Sequence, residues 1–415
     1  MFLRMFAILT LASPALADVI EVGPGLDHAD LQSAVDAAAD GDIVLVRTDQ
    51  DSVSVVVDGK GLTILGSSSV PLDRVSVGVV IVQDLPAESE VYLANLWAPL
   101  FVTDAAGRIF VQGCTLEGVE GSGGFLGGPG ALLERADDVV FVGCELLGGR
   151  GSEGSEFPLI SAAGGGHGIE STDSTVSLYD STVVGGDGGY FPEDSPGYPG
   201  GAGWFARRTF GFAANSVLIG GDGADAGESF QFCYDGGYGG DGARFLEQGA
   251  LRHIECQFTG GEGGFTQTFC VGAYYGSDHG SPGDPIAAIG AEAIELSGPS
   301  PVWRVPQFQR SGDVVSVEIQ NVAGGAYSIS KGSHDLRFLS ALSGNYHFGF
   351  LGYPDFFRRS VPVGPVTAGT STFSRTAPMV PNDRILRIQE QVWIRRVGGH
   401  RLANPRITWI LGADY

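Results

Sequence analysis

With 415 residues, 66 of them glycine, and 43% apolar side chains, the chain is long enough for two domains and too apolar to be a disordered low-complexity polymer. Its 48 acidic residues against 24 basic ones give a formal net charge of -24, which argues against a nucleic-acid partner, whose phosphates would be repelled. The same acidity suits divalent cations, basic partners or solubility outside the cell.

At the start, Arg4, an apolar stretch over residues 5–11, Pro14 and then Ala15-Leu16-Ala17 ahead of Asp18 follow the order of a secretory signal with a small-residue cleavage site. Residues 1–17 are therefore expected to be a signal peptide, and the rest to be exported to the extracellular space or the cell surface. No later run offers the roughly 18 uninterrupted apolar residues of a membrane span, and no cysteine follows the cleavage point to carry a lipid.

Past Val22, an amphipathic pattern between Asp27 and Asp40 puts Leu31, Val35 and Ala38 on one face, with Asp27 or Asp30 as N-cap. Such a helix would cap the open edge of a first coil. Residues 42–46 and 62–66 read as strands around a turn at Asp58-Gly59-Lys60-Gly61. The order Gly23-Pro24-Gly25, Leu31-Gln32, Gly41-Asp42 and Gly61-Leu62-Thr63-Ile64 resembles the opening of secreted right-handed parallel β-helix proteins of the pectate-lyase-like group. The resemblance implies the fold and no single activity, because that group holds lyases, hydrolases, esterases, epimerases and proteins without known chemistry.

Residues 118–264 repeat. Short β-like runs end in glycine clusters that start at 118, 148, 185, 220 and 260, in steps of 30, 37, 35 and 40, the clearest being Gly185-Gly186-Asp187-Gly188, Gly220-Gly221-Asp222-Gly223 and Gly260-Gly261-Glu262-Gly263. Regular units of uneven length predict stacked coils with loop insertions along one edge, a solenoid. Units open with Gly130, Gly168, Gly203, Gly242 and Gly290, each before an alternating strand. Four residues before each cluster stands Cys114, Cys144, Ser181, Ser216 or Cys256, a position for a small side chain. Cys114 and Cys144 are read either as bridged or, in preference, as stacked buried thiols. Cys233 and Cys270 lie in two loops of similar context and are expected to form a loop-to-loop disulfide.

Composition shifts at Ser297-Gly298-Pro299-Ser300-Pro301, so the β-helix is placed at 18–297 and a C-terminal β-sandwich at 298–415. Strands are expected over 314–319, 327–330, 385–394 and 406–410. The run Ile385-Leu386-Arg387-Ile388-Gln389-Glu390-Gln391 with Gly399, Leu402 and Asn404 resembles a C-terminal β-domain of secreted proteins from environmental bacteria.

Gly220-Gly221-Asp222-Gly223-Ala224-Asp225 matches the calcium-binding GGxGxD pattern, which makes Asp222, Asp225 and Asp187 candidate calcium ligands, although tandem nonapeptides are missing. Tyr190, Tyr198, Tyr234, Tyr238 and Tyr274, set among loop aspartates, are candidate glycan contacts, against the plainer reading that they pack the loops. Gly166-His167-Gly168 resembles the Gly-His-Gly of polygalacturonases, but the partner motifs are missing, so His167 is expected to be structural. There is no HExxH, CxxC, GxSxG or P-loop, and the chain's lysines are Lys60 and Lys331, which leaves Arg207, Arg208, Arg244 or Arg252 to serve a lyase as base. Two functional readings stand: a non-catalytic extracellular scaffold or glycan-binding protein, or a calcium-dependent polysaccharide lyase or epimerase acting on an acidic glycan.

Overall fold

The computed structural model describes residues 17–67, 74–154, 163–190, 196–227, 234–265 and 279–296, and beyond 301 the segments 302–322, 327–332, 338–339, 349–350, 361–366, 369–376, 385–396, 399–402 and 406–411. Residues 1–16 of the expected signal sequence, Cys233, Cys270 and Tyr274 lie outside them. No helix among the described residues is long and apolar enough to cross a membrane.

The chain coils as a right-handed parallel β-helix. One coil shows the plan: Ile169–Thr172, Thr175–Tyr179 and Thr182–Val184 pair in unbroken parallel register with Trp204–Arg207, Phe210–Ala214 and Val217–Ile219 of the next. We refer to the three files of strands as the opening, middle and closing sheets. Alternate side chains point inward, so Ile169, Trp204 and Ala243 stack in one core file and Ser171, Ala206 and Phe245 in the next. The Phe245 ring meets Trp204 edge to face at 5.0 Å, and Trp204 Nε1 donates at 2.9 Å to Ser171 Oγ of the coil before.

Two corners per coil are turned through residues with φ between about +48° and +64°, one residue at each except at Glu247, where Gln248 also has positive φ. Asp104, Arg135, Asp173, Arg208 and Glu247 join the opening sheet to the middle, and Asn95, Gly113, Gly143, Asp180, Asn215 and Glu255 join the middle to the closing. The first file alternates in charge. Arg135 binds both carboxylate oxygens of Asp104, and Arg208 binds both of Asp173 and reaches Glu247 as well. The guanidinium partners hold the Asp104 and Asp173 carboxyls below the usual range.

Just past the second corner stands the small-residue position. Ser181 Oγ donates to Tyr179 O at 2.7 Å and accepts from Cys144 N at 3.0 Å, while Ser216 repeats the pattern one coil on. Cys114, Cys144 and Cys256 are free thiols in that file, and burial pushes Cys144 and Cys256 up to about 11. Stacked thiols, and not a bridge, occupy the core here.

The N-terminal helix is Leu31–Ala37, capped by Asp30, whose Oδ1 accepts from Ser33 N at 2.9 Å, with Leu31, Ala34 and Val35 buried. Asp27 instead accepts from Glu21 N. Gln32 both accepts from Val56 N at 2.7 Å and donates to Val56 O at 3.3 Å, so it serves the exposed edge of the strand Gln50–Asp58. Gly290 does not open a coil: with φ +66 it turns the corner between Ile286–Ile289 and Glu292–Glu295, and the last coil opens at Pro285.

The middle sheet carries a buried apolar stripe on its outer face as well as on its inner one. Its outward Ile43, Leu45, Leu65, Phe110, Val140 and Val142 are buried, and the C-terminal residues Trp409, Phe308 and Ile385 pack on this outer stripe. Beyond residue 301 pairing becomes mainly antiparallel: Val314–Val322 pairs with Val302–Arg304 and Gly369–Thr376, and Ile385–Arg396 pairs with Arg406–Leu411 and Tyr327–Gly332. Arg406 Nη2 meets Asp180 Oδ2 at 3.0 Å across the junction.

Candidate functional site

The glycine-rich insertions run out from the closing sheet and back to the opening sheet, and both legs follow a period of three. In each outgoing leg the first glycine bonds the same leg of the next coil, as in Gly148 N to Val184 O, Gly151 N to Asp187 O and Gly188 N to Asp222 O, each at 2.8 Å. The second bonds the return leg lying beside it. Gly149 donates to Gly128, Gly166 to Gly149, Gly186 to Gly166, Gly201 to Gly186 and Gly221 to Gly201, in a zigzag of bonds of 2.7 to 2.9 Å that runs on through Gly240, Gly261 and Gly283. The third residue points outward. Three residues per turn, bonds between legs in place of bonds within them, and outward prolines at Pro129 and Pro199 are the marks of polyproline II strands packed in two layers.

Glycine is required for closeness and not for a left-handed backbone. A Cβ on Gly185 would stand 2.0 Å from Gly201 O in the other layer, and one on Gly186 would stand 2.0 Å from Gly149 O in its own. The third position carries the large outward side chains, and the second, otherwise glycine, admits Val119, Ser152 and Ala224. The hydrogen-bond register stacks Glu120, Arg150, Asp187, Asp222 and Glu262 in one outward file, and Glu153, Tyr190, Asp225 and Phe265 in a second file three residues farther out. On the opposite layer Pro129, His167, Ala202, Asp241 and Asp284 form one file and Leu126, Gly164, Pro199, Tyr238 and Ser281 another.

These side chains close the lattice. Asp187 Oδ1 accepts from Asp222 N at 2.9 Å, Asp222 Oδ1 from Glu262 N at 2.7 Å, Asp225 Oδ1 from Phe265 N at 2.7 Å and Asp241 Oδ1 from Asp284 N at 2.8 Å, each satisfying an amide of the following coil that faces outward. The three candidate calcium ligands thus each commit one oxygen to backbone, and among the described residues no three Asp, Glu, His or Cys side chains gather as a metal-binding group. His167 does the same work as the aspartates: its Nδ1 accepts from Ala202 N at 2.9 Å and its ring stacks on Phe205 at 4.8 Å. Burial lowers its pKa to about 4, so the ring is neutral at pH 7 with its lone pair on Nδ1.

Of the candidate glycan contacts, Tyr190 and Tyr238 are exposed, on opposite layers, whereas Tyr198 and Tyr234 are half-buried, and Tyr198 O accepts from Ala224 N. The tyrosines therefore do not form one patch. The aromatic that shares a file with Tyr190 is Phe265, and the repeated Gly-Gly-X-Gly-Gly-X of residues 185–190 and 260–265 is the sequence signal that pairs them.

A second polar surface lies on the outer face of the opening sheet. Leu132, Glu170, Phe205 and Arg244 stand side by side on consecutive coils, with Glu134 and Arg207 in the neighbouring file. Burial first, and then Glu134, raises the Glu170 carboxyl against the pull of Arg207. Arg207 also meets Glu247 at 3.4 Å, and Arg244 meets Asp241 at 3.5 Å.

No protein-family model, curated protein or solved structure matches the chain.

Proposed function

We propose that this chain is a secreted, non-catalytic glycan-binding or scaffold protein built on a β-helix of the pectate-lyase-like kind. The glycine lattice is the observation that carries the reading. It spends its side chains on backbone amides, two layers of legs hold one another through paired hydrogen bonds, and what remains is a rigid face of carboxylate oxygens and aromatic rings. Such a face suits hydroxyl-rich polymers, through stacking and hydrogen bonds, better than it suits bond cleavage. The alternative, a calcium-dependent lyase or epimerase acting on an acidic glycan, draws its support from Glu170, a carboxyl of raised pKa between Phe205 and Leu132 with Arg207 and Arg244 nearby. One experiment separates the two. The full chain is incubated with insoluble neutral polysaccharides and with polygalacturonate, with and without calcium, and both bound protein and unsaturated uronate products are measured. Retention on a polysaccharide without product is expected. Calcium-dependent release of unsaturated uronate would overturn the non-catalytic reading, and retention on no polysaccharide would overturn glycan binding.

A further inference from the structure

We infer that the outgoing face of the glycine lattice holds an extended, uncharged β-1,4-linked polysaccharide chain lying parallel to the solenoid axis, stacked on Tyr190 and Phe265. The inference rests on the glycan-binding reading above and specifies its ligand and its contacts.

Hydrogen bonds fix the geometry. Gly154 N bonds Tyr190 O and Ala226 N bonds Phe265 O, which places Glu153, Tyr190, Asp225 and Phe265 at the same height on four successive coils. Tyr190 is 38% exposed and Phe265 65% exposed, and each occupies the outward position where the lattice admits a large side chain. Two coil steps separate the rings, about 9.6 Å at a strand spacing of 4.8 Å. This matches the disaccharide repeat of an extended β-1,4-linked chain, in which every second sugar presents the same face. A chain along the axis therefore sets equivalent sugar faces on the two rings and carries the intervening sugar past Asp225. Asp225 Oδ1 accepts from Phe265 N, which fixes the carboxylate in place on an exposed residue, and a carboxylate has acceptor capacity left for a sugar hydroxyl. The neighbouring file adds Asp187, Asp222 and Glu262 as further acceptors at the same coil spacing, with Arg150 as their cationic neighbour.

Charge selects the class of polymer. A uronate chain would bring a carboxylate past Asp225, Asp222 and Asp187 on a protein of net charge -24, and like charges at this spacing repel. Neutral sugars meet the same oxygens as hydroxyl donors.

The test is titration calorimetry of the full chain with cellohexaose, cellobiose and a galacturonate hexamer, using Tyr190→Ala, Phe265→Ala and Tyr190→Phe variants whose unfolding temperatures are checked against the parent. Cellohexaose is expected to bind, with each alanine variant at least tenfold weaker, Tyr190→Phe close to the parent, and cellobiose, which cannot span both rings, weaker than cellohexaose. Cellohexaose binding that neither alanine variant disturbs would overturn the placement and leave glycan binding standing. Tighter binding of the galacturonate hexamer would overturn the choice of an uncharged chain. If neither hexamer binds but a polysaccharide retains the protein, the inference falls and the broader reading survives.

Discussion

His167 shows how one side chain can carry a motif without carrying its chemistry. Its Nδ1 must stay unprotonated to accept the Ala202 amide, and burial favours that state. The folded chain takes up the proton near pH 4 and the unfolded chain near 6.5. The imidazole therefore imposes no penalty above pH 6.5, and it destabilises the fold progressively as pH falls from 6.5 towards 4, by roughly 3 kcal/mol in all. Asparagine can present an acceptor oxygen at the same position without titrating, so His167→Asn is expected to lose little at pH 7.5 and to overtake the parent at pH 4.5. Urea unfolding at both pH values reads this as a crossing of the two midpoints, and parallel pH profiles would count against it. The missing partner motifs left His167 read as structural, and its bond to Ala202 was illegible, because Ala202 lies 35 residues away in the next coil.

At the scale of the element, the polyproline II leg makes a sharp distinction between adjacent positions. Gly186 has a backbone oxygen 2.0 Å from where its Cβ would be, whereas Asp187 points to solvent and contributes one hydrogen bond to the next coil. Gly186→Ala must push apart legs that are bonded on both sides, so a loss of at least 3 kcal/mol or a failure to fold is expected. Asp187→Ala should cost about 1 kcal/mol. Thermal unfolding of the two variants decides the matter, and equal losses would mean that the layers are not packed as described. The glycine clusters were legible as a repeat, and Gly-Gly-Asp-Gly-Gly-Tyr even spells out the period of three. The second layer went unread although its return legs carry Gly-Gly-X-Gly too, at 127–130, 165–168, 200–203 and 239–242, because they follow the outgoing clusters at irregular distances and nothing local tells one leg from the other. The corners were unreadable for a different reason: Arg135 and Arg208 sit in a left-handed conformation that propensity assigns to Gly, Asn or Asp, and they are placed there by carboxylates of the adjoining coils.

For the whole molecule, the question is what joins the solenoid to the strands that follow it. The sequence held a clue in runs such as Val139-Val140-Phe141-Val142, apolar at every position, which signal a strand buried on both faces. Its outer cover, Trp409 with Phe308 and Ile385, comes from residues far along the chain and could not be assigned from pattern alone. Across the same contact, Arg406 and Asp180 retain only 15% and 14% of their side-chain exposure. A guanidinium so enclosed is stabilised chiefly by its carboxylate partner, and burial itself pulls its pKa down. Asn tolerates the left-handed corner at position 180, so Asp180→Asn removes the charge with little change to the backbone. A loss of roughly 3 kcal/mol is expected, because the enclosed Arg406 guanidinium loses the carboxylate that faces it at 3.0 Å. The double variant Asp180→Asn, Arg406→Gln should regain a large part of that loss, since neutral partners need less solvation than an enclosed cation. Denaturant unfolding of the parent, both single variants and the double variant closes the cycle. Strict additivity would show that the two side chains do not act together, and the junction would then depend on its other contacts, the apolar stripe under Trp409 foremost.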